Sequence, residues 1–436
     1  MKKNLIFLCA LAYTHCQEPT ISTIQTYQQN NLYHDALILC NAALATTDQP
    51  IPFYLLQGTC FLALGDINNA LAVYNTILSS NPQIIAAQYN KGYAYKIAGN
   101  FAKAIPIFKK LITQKSDYEH ARLALSFSYL SSGDFARGWH AHTWYLKKYN
   151  KDCQALRSLI GTNRLSGKKI ALISEGGLGD TIQFIRYAQR LKECGAIVTA
   201  HVQEPLIPLL SRCPFIDTLV SAKKPVDPHH DATASLMSLP AVFHDNEKTF
   251  PCTIPYIFPD QALVQEWKKT FTDSDTFNIG ICWQASIAND ESRLPIARRG
   301  MPLALFAPLA SLDDICLYSI QKYDGAQQGN TISFSLTTFP SDFDQTHGSF
   351  MDTAAIMMHL DLIITVDTAI AHLAGALGKP VWLLLPFYAD WRWIYGRTDS
   401  PWYPTMRIFQ QKKPFDWESV IKLVCEELKK AVNNYN

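Results

Sequence analysis

Two junctions hold the residues best suited to chemistry. The first is EGGLGDTIQF at 175–184, which directly follows an apolar run at 168–174 and opens a helical pattern. Gly176, Gly177 and Gly179 let the backbone approach a ligand closely, and the unpaired amides of a helix start attract an anion or a hydroxyl-rich substrate. Asp180 stands at that start, where it either caps the helix or serves as a general base. The second is VDTAIAHLAGALGKP at 366–380. A strand ends at Asp367 and a helix begins at once, offering phosphate oxygens its first amides and the Thr368 hydroxyl. His372 lies one turn further on the same face. A lone histidine there is either a satisfied core residue or a ligand contact.

Other clusters carry less. Asp273-Ser-Asp275 has the form of a metal-binding Asp-x-Asp but follows no strand end. His229-His230-Asp231 lacks the spacing of metal ligands. Aromatic residues in DWRW (390–393) and SPWYP (400–404) either stack on a base or sugar ring or pin the final helix across the lobes.

The elements that must position these residues alternate strand and helix. Strand patterns at 168–174, 196–202 and 217–220 are separated by helical stretches at 181–194 and 205–211. The alternation restarts at 277–283 and runs through 315–321, 361–366 and 380–385, ending in a helix at 417–432. This arithmetic implies parallel sheets with helices on both faces. Ligands of such folds bind at the carboxyl ends of strands, so the loops after Ser174, Trp283, Gln321 and Val366 should face one cleft.

The first third follows a different rule. Gly65, Gly99 and Gly133 stand 34 residues apart, and Asn31 stands 34 before Gly65. Ala36, Ala70 and Ala104 keep the same step. Glycine suits a left-handed turn after a first helix, and alanine suits the close approach of two helices. A 34-residue period of this form resembles the tetratricopeptide repeat, with three and a half to four units between 20 and 148. The first helix is expected to start near Gln17. Asn90, Lys91 and Tyr95 are candidates to line a peptide-gripping concave face, against a bland alternative of solvated surface.

At 436 residues the chain exceeds one ordinary core, and 48% hydrophobic with 17% charged residues argues against disorder. A net charge of +2 provides no field for nucleic acid or acidic membrane. Eleven scattered cysteines offer neither a disulfide framework nor a zinc site and fit a reducing compartment. Lys2 and Lys3 before a short apolar run make 1–16 a possible export signal or a helical extension. No run is long and apolar enough to span a bilayer. The expected organisation is 1–16 as this extension, 17–150 as repeats, 167–250 as a first α/β lobe, 251–276 as a hinge and 277–436 as a second lobe.

From about Gly167 onward the chain resembles glycosyltransferase family 9, the heptosyltransferase-like group, in its branch with tetratricopeptide repeats in front. The segments EGGLGDTIQF, SLP (238–240), GICWQ (280–284), MPLALFAPL (301–309), LDLIITVDTAIAHLAGALGKPVW (360–382), LPFYADWRW (385–393) and SPWYPTMRIF (400–409) carry the resemblance jointly. It implies an α-solenoid followed by a two-lobed GT-B module of double Rossmann-like form. It also implies inverting, metal-independent sugar transfer from a nucleotide-diphosphate sugar, with no cofactor. The family's base falls on Asp180. Its donor-binding positions fall on Gly177, Gly179 and Thr181, and on Asp367, Thr368, His372 and Leu373. With no metal, a cation must meet the leaving diphosphate, and Arg299 and Lys322 are the candidates. The loop 285–300 is longer and less regular than the family's, and Gly176 stands where glutamine is common.

These readings lead to a cytoplasmic glycosyltransferase whose repeats recruit a protein or glycan acceptor, or a protein partner, through their groove. The alternative is a repeat scaffold carrying a degenerate, non-catalytic module.

Overall fold

The computed structural model describes residues 19–148, 153–162, 164–271, 276–291 and 293–433. Asp273 and Asp275, like the segment 1–16, lie outside them. The described residues form two compact units. The first runs to Ser132 and includes two later segments, Glu291–Arg298 and Phe387–Tyr395. The second holds Gly133–Asp290, Arg299–Pro386 and the chain from Gly396.

In the first unit seven helices follow one another as antiparallel hairpins: α1 (Ile21–Gln29), α2 (Tyr33–Leu44), α3 (Pro50–Ala63), α4 (Ile67–Ser80), α5 (Ile85–Ile97), α6 (Phe101–Gln114) and α7 (Glu119–Ser131). The first described helix starts at Ile21, and the expected start near Gln17 lies outside the described residues. Thr20 has an extended backbone, and its hydroxyl accepts the Thr23 amide, which defines the N-cap. Asn31, Gly65 and Gly99 close the first helices with φ of 62°, 81° and 70°, the left-handed turn expected of them. Ala36, Ala70 and Ala104 are completely buried.

A second small-residue position escaped the sequence reading. Gly58 and Gly92, also 34 apart, lie under Tyr74 and Phe108 of the following helices. A Cβ at Gly58 would sit 2.4 Å from the Tyr74 ring, and one at Gly92 would sit 2.9 Å from the Phe108 ring. Gly58→Ala gains helix propensity worth about 1 kcal/mol but forces Tyr74 out of its slot at ~1–3 kcal/mol. We expect a net loss, read as a lower urea midpoint with unchanged m-value.

Two expectations about this unit need correction. Tyr95 packs with Phe108 and Leu111 in the core between helices, and Asn90 is half-buried on the same helix, so neither stands as solvated surface on an open face. The residues of α5 that meet other chain are Tyr93 and Lys96. Likewise Trp391–Trp393, a single 3₁₀ turn, belongs to the first unit and not to the packing of the last helix. It packs on α7, and the Tyr395 amide donates to the Ser131 carbonyl at 2.9 Å.

In the second unit, helix α8 (Phe135–Lys148) packs beside 239–250, where the Trp139 indole donates to the Asp245 carbonyl at 2.7 Å. Two parallel sheets follow. The first contains β1 (Lys169–Ile173), β2 (Ile197–Val202), β3 (Thr218–Ser221) and β4 (Ala232–Ser235), in the order β3-β2-β1-β4. The second contains β5 (Phe277–Cys282), β6 (Ile315–Ser319), β7 (Leu362–Val366), β8 (Val381–Leu385) and β9 (Met406–Gln410), in the order β6-β5-β7-β8-β9. The strand order reverses between β1 and β4 and again between β5 and β7. The loops after β1, β5 and β7 therefore leave from the two switch points, where open α/β sheets bind ligands. Strands β5, β7 and β8 are buried along their whole length, as strands covered on both faces must be. The final helix, Trp417–Asn433, lays Val420, Val424 and Leu428 on that core.

Candidate functional site

The glycine loop is held by its own side chains. Helix α9 (Leu178–Phe184) starts immediately after Gly177, and Asp180 Oδ2 accepts the Gly177 amide at 2.7 Å. Gly176 has φ of 75°, and a Cβ there would lie 2.3 Å from the same carboxylate oxygen. Glycine where glutamine is common thus has a steric reason in this conformation. Thr181 is buried, and its hydroxyl donates to Gln203 Oε1 at 2.8 Å. Gln203 Nε2 in turn donates to the Gly176 carbonyl at 3.3 Å. Thr181 is therefore an anchor of the loop, and its hydroxyl does not face a ligand.

The second junction opens helix α10 (Ala369–Ala376), whose N-cap Thr368 accepts the Ile370 amide at 3.2 Å. The two junctions meet directly. A Cβ on Gly179 would lie 3.3 Å from Ala369 Cα and 3.0 Å from His372 Cδ2, so any larger residue would push α9 from α10 by a few tenths of an ångström. Asp180 follows in the next position.

Of the two candidate cations, the structure brings one to this place. Arg299 donates through Nη1 to the Asp367 carbonyl at 2.9 Å. Its other side faces Asp290, whose carboxylate also accepts the Arg299 amide (2.9 Å) and the Gly300 amide (3.1 Å). Lys322 is the correction. Its ammonium lies 4.3 Å from the centre of the Phe343 ring, buried without a hydrogen-bond partner, and it makes no bond at the start of α10. Leu373 is completely buried and packs the helix on its sheet, so its part is structural.

Gln321, at the end of β6, stitches the loops together. Its Oε1 accepts the Trp283 and Gln284 amides at 3.0 and 2.9 Å, while Nε2 donates to the Gln284 and Asp324 carbonyls. Cys282 Sγ lies 3.9 Å from the Thr368 hydroxyl. Burial pushes its thiol up to about 11, so it stays neutral beside the helix start.

His372 Nδ1 meets the Tyr403 hydroxyl at 2.8 Å. Behind it lies a buried guanidinium that sequence reasoning missed. Arg186, 2% exposed, donates to the carbonyls of Gln183, Pro251 and Trp402 and to the Tyr256 hydroxyl. The Tyr256 and Tyr403 rings each lie 4.5 Å from it. Trp402 stacks on Phe250 at 3.7 Å, so this aromatic segment braces the interior and does not bind a base. The one available signal was position: Arg186 follows Asp180 by six residues in the same helical stretch.

The remaining polar cluster is structural as well. Asp231 accepts from Lys168 Nζ and from the Lys169 amide, both at 2.8 Å. Among the described residues no helix is long and apolar enough to cross a membrane.

Two family profiles, each described as tetratricopeptide repeat, match residues 53–83 and 85–118, the α3–α4 and α5–α6 hairpins. This part of the chain is a tetratricopeptide-repeat stack. Protein FlbA of Caulobacter vibrioides is 24% identical over 289 residues, 61% of this chain and 47% of that protein. The chain thus spans about half the length of the curated relative it matches. Among solved structures, the glycosyl transferase family 9 protein of Veillonella parvula DSM 2008 aligns with a TM-score of 0.45 and 14% identity, over 62% of this chain and 97% of its own. The E. coli ADP-heptose lps heptosyltransferase II aligns with a TM-score of 0.41 and 14% identity, over 61% and 99%.

Proposed function

We propose that the chain is a glycosyltransferase that moves a sugar from a nucleotide-diphosphate sugar to an acceptor hydroxyl on a protein or glycan. One observation carries the reading. The Arg299 guanidinium sits on the Asp367 carbonyl at the start of α10, and Gly179 brings the Asp180 loop against that same start. The resemblance of both junctions to glycosyltransferase family 9 supports it.

In this mechanism the acceptor oxygen attacks the anomeric carbon as the bond to the diphosphate oxygen breaks on the opposite face, inverting the configuration. Asp180 takes the hydroxyl proton. The diphosphate leaves with its charge met by the positive end of the α10 dipole and by Arg299, in place of a metal. Asp290 holds that guanidinium in position before the donor arrives. Nucleotide sugars are cytoplasmic compounds, and the proposed location follows from that.

Calorimetry with ADP, GDP, UDP and CDP tests the donor site. One of the four should bind, and Arg299→Ala should weaken it about tenfold or more, the cost of one charge-assisted hydrogen bond. A wild-type chain that binds none of them would instead be a repeat scaffold with a degenerate module.

A further inference from the structure

We infer that the tetratricopeptide stack is a clamp for the chain's own loop at 287–300, with Ile296, Arg298 and Lys96 as positioning residues for Arg299. The inference rests on the reading of Arg299 as the donor-site cation.

The loop is closed at its base and gripped at its tip. At the base, Asp290 and Arg299 bind each other. Between them, the eight residues Glu291–Arg298 belong to the repeat unit. Ile296 is 1% exposed and shares a core with Leu62, Tyr74, Ala94 and Ile97. Arg298 donates to Asn31 Oδ1, the asparagine of the first left-handed turn. Arg299 is the next residue, so this tether fixes the backbone from which the cation extends.

The second segment completes the grip. Tyr388 donates its amide to the Ile296 carbonyl at 3.3 Å, and its hydroxyl accepts from the Lys96 ammonium. Lys96 is only 5% exposed, with the Tyr93, Phe127 and Tyr388 rings 5.1–5.7 Å away. A lysine buried in a repeat face is costly unless something accepts from it and faces its charge. The docked segment supplies both, through the Tyr388 hydroxyl and the nearby Asp390 carboxylate. Burial alone would raise the Asp390 carboxyl, but Arg392 and Arg293 hold it below its usual range. Tyr395 covers Gly99 so closely that a Cβ there would lie 2.2 Å from its ring. The repeat glycine thus serves the contact as well as the turn. This face of α3, α5 and α7 already has its occupant, which is why the loop 285–300 is longer and less regular than the family's. Its extra residues reach the repeats.

The test uses the full-length chain. Ile296→Asp places a charge in the apolar slot and should release the tip. Hydrogen exchange at amides 293–299 should then accelerate about a hundredfold, while α1–α7 stay protected. Affinity for the nucleoside diphosphate that the wild type binds should fall about ten- to a hundredfold. Affinity for the monophosphate of the same base should stay within twofold, a selectivity that a general loss of structure would not produce. Ile296→Leu should restore both. Arg298→Ala, which removes one half-buried tether and leaves Ile296 in its apolar slot, should move the same readouts in the same direction by less. Wild-type exchange rates in both Ile296→Asp and Arg298→Ala would overturn the clamp. Fast exchange with unchanged diphosphate affinity would overturn its positioning role. A wild type that binds no nucleotide defeats the transferase reading and the positioning role with it, while the exchange experiment still decides whether the loop docks.

Discussion

Asp180→Asn lowers sugar transfer by about 10²–10⁴-fold, the range a general base contributes, and leaves nucleoside diphosphate affinity within twofold. The substitution separates the loop bond of Asp180 from the proton transfer proposed for it. Asparagine keeps an oxygen that can accept the Gly177 amide, so the bond that shapes the loop survives. It cannot take a proton from an acceptor hydroxyl at neutral pH. Asp180→Ala removes the loop bond as well, costing about 1 kcal/mol more in stability, and so confounds the two jobs. Single-turnover transfer, measured beside calorimetry on the same preparation, checks the prediction. A full rate in Asp180→Asn would reduce Asp180 to a capping residue.

Arg186→Met destabilises the second unit by about 3–5 kcal/mol, because methionine fills much of the space but donates nothing. Four oxygens lose their donor together: the carbonyls of Gln183, Pro251 and Trp402, and the Tyr256 hydroxyl. Arg186→Lys should recover only part of the loss, since a compact ammonium cannot reproduce the planar fork that reaches them. The consequence extends to the site. Tyr403, which flanks this guanidinium, also holds His372, and His372 lies against Gly179. Urea unfolding followed by tryptophan fluorescence checks the magnitude, and a loss below about 1 kcal/mol would mean that water replaces the guanidinium. The Arg186→Met chain should also bind its nucleotide more weakly, because the approach of α9 to α10 loses its backing.

The repeats were legible because their rules are local. A left-handed turn selects Gly65 and Gly99 within four residues of chain, and a helix crossing selects Ala36, Ala70 and Ala104. The strand–helix alternation and the two junctions were legible for the same reason, since a buried strand is a short apolar run and a helix start has its own signature. The missed strands lack such runs. β4 is Ala-Thr-Ala-Ser, and β9 carries exposed Arg407 on a sheet edge.

By itself the sequence determined the repeat period, the parallel α/β class and the two strand-to-helix junctions, because each depends on neighbours in the chain. Only the tertiary structure decided that Arg299 and not Lys322 reaches the start of α10. It alone showed that Arg186 reaches a carbonyl 216 positions further along the chain, and that the repeat face holds residues 293–298 and 387–395. Contacts of that separation follow from how finished elements pack, and packing leaves no periodic trace in the residues that make it.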